Sequence, residues 1–208
     1  MSGGGSPDFF YREALRLGYV ARSAFKILRV RLPGAASADA ETVQANNPGD
    51  SVLDLGCAPG AWLQVACQSL GPAEKGGVVV GIDVKKVKVP NLYCDSRVRT
   101  ACADVMTLLK AQVRALSPQL GARALSLAIG SAELPSFDGS VEGESYLGGC
   151  SGGVLRAGGN LVIKLLESED NREFAQFCKP LFKRMSWTRP KATRSSSREI
   201  YLVCQGLE

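Results

Sequence analysis

With 208 residues, 45% of them hydrophobic and 22% charged, the chain has the length and composition of one globular domain, which excludes wholesale disorder. No apolar run reaches the ~20 residues needed to span a bilayer. The N-terminus lacks a signal-peptide core, and Asp8 and Glu13 speak against a transit peptide. A soluble intracellular protein is therefore expected, cytoplasmic rather than organellar, with a modest net charge of +5.

Residues 1–7 form a Gly/Ser leader, and 8–208 are expected to make a single domain. Residues 8–32 read as helical, with Asp8 as N-cap and Gly18 as a break. Residues 33–50, small, polar and punctuated by Pro and Gly, read as a loop. VLDL (52–55) predicts a buried strand entering a Gly-rich turn. Helical character resumes over 60–70, and VVVGIDV (78–84) predicts a second strand. A third short strand is expected near Thr100–Asp104, then a helix over 105–116. ARALSLAIG (122–130) supports two readings. Leu125, Leu127 and Ile129 alternate as in a strand, whereas Leu120, Ala124 and Leu127 have helical spacing, and Ala and Leu favour helix. Residues 131–153 read as a polar insertion loop, RAGG (156–159) as a turn and NLVIKLL (160–166) as a strand. Residues 170–184 read as a helix and EIYLVCQG (199–206) as the last strand. Near-continuous apolar strands separated by helices imply a mostly parallel, doubly wound, Rossmann-like α/β sheet.

The seven cysteines are scattered, with no C-x-x-C pair, so neither a disulfide framework nor zinc spacing is present and no metal site is expected. The chain has no histidine, which removes every His-dependent mechanism. Any general base must be Lys, Asp, Glu, Tyr or Cys. The basic residues fall into two groups. One contains Arg12, Arg16, Arg22, Lys26, Arg29 and Arg31; the other contains Lys183, Arg184, Arg189, Lys191, Arg194 and Arg198. They could converge to neutralise phosphates or remain two solvated faces.

The turn after VLDL is GCAPGAW. Gly56 and Gly60 permit a tight strand-to-helix turn and close approach of a ligand to backbone. The pattern is not G-x-G-x-x-G, and Pro59 and Trp62 suit an uncharged or zwitterionic ligand better than a dinucleotide phosphate. Asp83, closing the second strand, is placed to accept from ribose hydroxyls. Asp104, closing the third, could reach an adenine amino group. Each alone could be a strand cap or generic turn. Together they sit at the C-terminal ends of successive strands, where ligands bind in open α/β sheets.

SVLDLGCAPGAW (51–62), together with RSAFKIL (22–28), NLVIKLLES (160–168) and SREIYLV (197–203), resembles the FtsJ-type ribose 2'-O-methyltransferases, from about Tyr11 to Gly206. The resemblance implies a class I methyltransferase fold and S-adenosylmethionine held by Gly56, Gly60, Trp62, Asp83 and Asp104. It also implies an RNA substrate, ribosomal RNA above all, gripped by segments 12–31 and 183–198 of a monomer. The family's catalytic set is Lys-Asp-Lys-Glu, and Lys26, Lys164 and Glu199 match three of its members. Lys164 stands out independently. Among Leu161, Val162, Ile163, Leu165 and Leu166 its ammonium form is costly, and a nearby Lys26 adds to that cost. A lysine so placed can take the proton of a ribose 2'-hydroxyl, although an isolated one would snorkel from the strand end.

The family's aspartate, in a segment resembling L-S-D-x-x-P, has no clear counterpart. Between Asp104 and Lys164 the only acids are Glu133, Asp138, Glu142 and Glu144, all in the polar loop. Aligning SAELP (131–135) on that segment puts Ala132 at the Asp position. Alternatively, ARALSLAIG matches the helix that follows the fourth strand, and the central fourth strand itself is missing. Both alignments predict impaired catalysis. They leave a second reading beside the enzyme, a truncated or degenerate module that binds RNA and S-adenosylmethionine without transfer. An NAD-dependent oxidoreductase is disfavoured by the absent G-x-G-x-x-G.

Overall fold

A computed structural model describes residues 8–28, 49–105, 107–108, 110–116, 122–128 and 154–208. The expected leader (1–7), nearly all of the loop 33–50, the insertion loop 131–153, and Arg29 and Arg31 lie outside the described residues.

The apolar runs become strands β1 (Ser51–Leu55), β2 (Val78–Asp83), β3 (Val98–Cys102), β4 (Ala122–Ala128), β5 (Leu155–Leu166), β6 (Phe182–Thr188) and β7 (Glu199–Leu207). They join one sheet in the order β3-β2-β1-β4-β5-β7-β6. The first five are parallel, and β7 runs antiparallel to both β5 and β6. Strand order reverses between β1 and β4, and the crevice beyond their C-terminal ends is where such sheets take ligands. The helices are α1 (Phe9–Arg16), α2 (Ala24–Leu28), α3 (Ala61–Ser69), α4 (Lys110–Leu116) and α5 (Asp170–Cys178).

Alternation along each strand builds two apolar layers. Leu53, Val80, Ile82, Leu161, Ile163 and Leu202 pack with Val113 of α4 and with Phe174 and Cys178 of α5. Val52 and Val79 meet Leu63 and Cys67 of α3 and its C-cap Leu70 on the other face. There Val162, Tyr201 and Val203 meet Trp62 of α3 and the N-terminal helices.

Several expectations are corrected. The fourth strand is present, as residues 122–128, paired to β1 on one side and β5 on the other. Strand alternation prevails over helix propensity because a gap here would strand the hydrogen-bonding groups of both neighbours. RAGG is no free turn but part of β5, at an irregularity where the step from Ala122 to Ala124 on β4 spans the longer step from Leu155 to Asn160 on β5. The helix expected over 170–184 stops at Cys178; Lys179 keeps helical dihedrals as its C-cap, and Pro180, which has no N–H to donate, cannot continue the i→i−4 ladder. Beyond Pro180 the chain enters β6, an edge strand. As expected, Gly18, with a φ of +79°, breaks the N-terminal helical segment, which forms two helices. Asp8 caps the first, its Oδ1 accepting from Tyr11 N–H at 2.9 Å. The third strand starts and ends two residues early, at Cys102, so Asp104 lies beyond it.

Candidate active site

Period-two geometry brings the candidate catalytic residues together. Lys164 of β5 pairs with Tyr201 of β7, and Leu166 pairs with Glu199. Residues 199 and 201 therefore point to the face that Lys164 faces. Lys26 arrives from α2. Its ammonium donates to Glu199 Oε2, and Lys164 Nζ lies 3.7 Å from Glu199 Oε1. One carboxylate thus bridges the amines of two lysines. Lys164 is not engulfed by its strand, since a quarter of its side chain remains exposed. The compensation that its apolar neighbours deny comes from Glu199.

These groups and the Gly-rich turn form one open cleft with ≈ 500 Å³ of empty space, walled by Lys26, Gly56, Trp62, Lys164, Glu199 and Tyr201. Gly56 has a φ of +78° and Gly60 one of +109°, which only glycine adopts cheaply. At Gly60 a Cβ would also come within 3.0 Å of Pro90. Gly56 and Cys57 both donate their N–H to Ile82 C=O, at 2.8 and 3.2 Å, tying the turn to β2. Asp83 accepts from Ala58 N–H and Lys85 N–H, each at 2.9 Å. It is a brace of the turn, with a lone pair left on each oxygen. Asp104 is exposed and does not border the cleft. The Trp62 indole N–H donates to Ser23 C=O at 3.1 Å, and its ring centroid lies 6.1 Å from that of Tyr201.

Electrostatics narrows the choice of base. Burial raises the Glu199 carboxyl, but the Lys26 hydrogen bond and the charges of Lys26 and Lys164 outweigh it and hold the group below its ordinary range. Burial, with help from Asp54 and Asp83, pushes the Cys57 thiol up to about 12. Burial and the Glu199 charge push Tyr201 up as well. Neither thiol nor phenol is a base near neutral pH. Among the cleft groups the lysines remain.

Three further residues matter here that sequence patterns did not single out. Tyr201 is fully buried, and its hydroxyl has no partner among the described residues. It borders the cleft, so a ligand supplying one polar atom would satisfy it; its position two residues after Glu199 was the available signal. Asp54 is 1% exposed, with neither oxygen partnered among the described residues. A charge inside VLDL marked it. Gln64 is fully buried and joins α3 to the N-terminal segment. No acid occurs on β4, and the four loop acids lie outside the described residues.

The family model described as FtsJ-like methyltransferase matches residues 19–207. Two curated relatives bear the name ribosomal RNA large subunit methyltransferase E. That of Haloquadratum walsbyi is 30% identical over 198 residues, covering 94% of this chain and 73% of the relative. That of Nitrosopumilus maritimus is 30% identical over 207 residues, covering 96% and 94%. Among solved structures, a ribosomal RNA methyltransferase of Plasmodium falciparum superposes with a TM-score of 0.53 at 19% identity. It covers 77% of this chain and 88% of that one, a likeness of fold.

Proposed function

Because the chain belongs to the FtsJ-like methyltransferase family, we propose that it transfers a methyl group from S-adenosylmethionine to a ribose 2'-hydroxyl of ribosomal RNA. The names of the curated relatives support the RNA class. The observation that carries the reading is the meeting of Lys26, Lys164 and Glu199 beside the Gly56–Trp62 turn.

The residues fit the methyl donor. The turn offers backbone to its zwitterionic end, Asp83 keeps acceptor capacity for a ribose, and the buried Tyr201 hydroxyl wants a polar partner. When bound, the donor supplies an electrophilic methyl group on a sulfonium. Lys164 is placed to take the proton of the 2'-hydroxyl, so that its oxygen would accept the methyl group while the donor's sulfur would keep the S–C electron pair. Glu199 receives the ammonium form of Lys164 that results. Lys26, fixed on the other carboxylate oxygen, keeps positive charge near the developing alkoxide. Asp104 belongs to the donor site on the sequence pattern alone.

Segments 12–31 and 183–198 are assigned to phosphates. In support, Arg22 pairs with Asp8 and donates to Ala192 C=O, and Arg194 Nε lies 3.1 Å from the same Asp8 carboxylate. The absence of an acid on β4 favours a second reading, a module that binds RNA and donor without transfer. Labelled S-adenosylmethionine and unmodified ribosomal RNA separate the two. The expected product is a 2'-O-methylated ribose. Lys164→Met should lower transfer at least about 100-fold with donor binding retained. Methyl on a base, or undiminished transfer by the variant, overturns the proposal; RNA and donor binding with no transfer by the parent chain establishes the module.

A further inference from the structure

Helix α1 leaves large apolar side chains in solvent that the fold does not use, Phe9 on one flank and Tyr11 with Leu15 on the other of an outward row formed by Arg12 and Arg16. Phe9 is 63%, Tyr11 44% and Leu15 57% exposed. Tyr11 and Leu15 stand one turn apart, as do Arg12 and Arg16 in the adjoining row. The opposite side anchors the helix. Ala14 is buried, and the Phe10 ring stands 5.8 Å from Phe25, the neighbour of Lys26 in sequence. The acids of this region carry no free negative charge. Glu13 is held by Arg16 at 2.6 Å, and Asp8 is shared by Arg22 and Arg194. Exposed aromatic rings therefore lie beside an uncompensated excess of arginine, at the junction of the two basic segments.

We infer that the outer face of α1 is a stacking platform for unpaired RNA bases next to the nucleotide held in the cleft. This rests on the RNA reading above and adds the form of RNA and the place where it lies. Every base has a π-face, so rings such as Phe9 and Tyr11 hold single strands with little regard to sequence. Arg12 and Arg194 meet the intervening phosphates. Paired bases cannot offer their faces, so duplex RNA gains nothing here. A purely apolar partner would leave the arginines without counter-charge. The Phe10–Phe25 contact gives the platform its use, because it fixes α1 relative to α2 and hence to Lys26.

The test uses the full chain, labelled single-stranded oligouridine and the same strand in duplex with oligoadenine. The variant is Phe9→Leu with Tyr11→Leu, which keeps apolar area and removes the rings. The parent chain should prefer the single strand. The variant should bind it at least about 5-fold more weakly per ring lost, with duplex binding, donor binding and thermal midpoint unchanged. In methyl transfer the variant should raise KM for RNA and leave kcat in place. Iodouridine in the strand should photocrosslink to Phe9 or Tyr11. Unchanged single-strand affinity in the variant, equal loss on duplex, or crosslinks confined elsewhere overturn the platform. Should the parent chain transfer no methyl while the variant still loses single-strand binding, the reaction fails and the platform stands.

Discussion

Asp54 is the least comfortable residue in the chain. It sits in the middle of β1, fully enclosed, with both oxygens unpartnered among the described residues. Burial, and secondarily the charge of Asp83, push its carboxyl well above the ordinary range. The native state therefore favours its protonated form, whereas the unfolded chain ionises it near the ordinary carboxylate value. Folding must take up a proton over the window between those two values, so its contribution becomes more unfavourable as pH rises there. Asp54→Asn removes the titration and nearly keeps the shape. The variant should gain on the parent by up to about 1.4 kcal/mol per pH unit within that window, and the gap should close below about pH 4. Urea unfolding of both proteins across pH decides it, and parallel curves would refute the assignment. Glu199 has the opposite sign. Its depressed carboxyl stabilises the fold above the ordinary carboxylate range and ceases to as pH falls through its native value. The contrast is legible only in three dimensions: both are acids in apolar strands, and only Glu199 meets lysines.

At the scale of elements, α3 does more than follow the Gly-rich turn. Its successive outward side chains hold the segment that carries Lys26. Trp62 N–H donates to Ser23 C=O, and Gln68 Oε1 accepts from Tyr19 O–H at 2.8 Å. Between them Gln64 accepts from Val20 N–H at 2.9 Å and donates to the carbonyls of Gly18 at 3.0 Å and Leu92 at 2.9 Å. Tyr93 adds a bond to Leu17 C=O at 2.7 Å. A helix rooted in the turn thereby sets where Lys26 stands. Gln64→Leu would leave a buried N–H and two carbonyls unsatisfied, a loss of about 2–4 kcal/mol. Because the freed segment is 18–26, we expect faster amide exchange there than in β1 or β5. The kcat for methyl transfer should fall as Lys26 loses its setting. Uniformly faster exchange across the sheet would mean that Gln64 serves general stability and not this segment. In AWLQVACQS the visible sign of the role is the pair of glutamines, Gln64 and Gln68, one turn apart among apolar helix residues.

For the whole molecule, the sequence was readable where a pattern is local and obscure where partners decide. Valine runs and the Gly56–Gly60 turn specify β1, β2 and the helix between them without help. Lys26, Lys164 and Glu199 could be picked out by motif, yet their meeting depends on the β5–β7 register. The β6 strand was hidden because FKRMSWT has mixed character and gains its state from β7, while Pro180 was the overlooked stop. β4 was ambiguous because Ala and Leu suit a helix; two waiting ladders make it a strand.

That strand also frames the remaining chemical gap. Ala128, the last residue of β4, is the register partner of Lys164. It marks the strand end where the family's aspartate would be looked for, and no acid occurs on the strand. With Glu199 as the cluster's only acid among the described residues, one carboxylate both holds Lys26 and receives the charge that forms on Lys164. A second carboxylate at the end of β4 would divide those tasks, leaving each lysine its own counter-ion and making proton transfer to Lys164 less costly. Ala128→Asp should therefore raise kcat at least about tenfold, on the low side for a positioned acid–base group, with KM for the methyl donor little changed. Single-turnover methyl transfer, compared with Ala128→Asn, reads charge apart from shape, because only the aspartate should accelerate. Equal rates for parent, Asn and Asp chains would show that this site works at its full rate without the missing group.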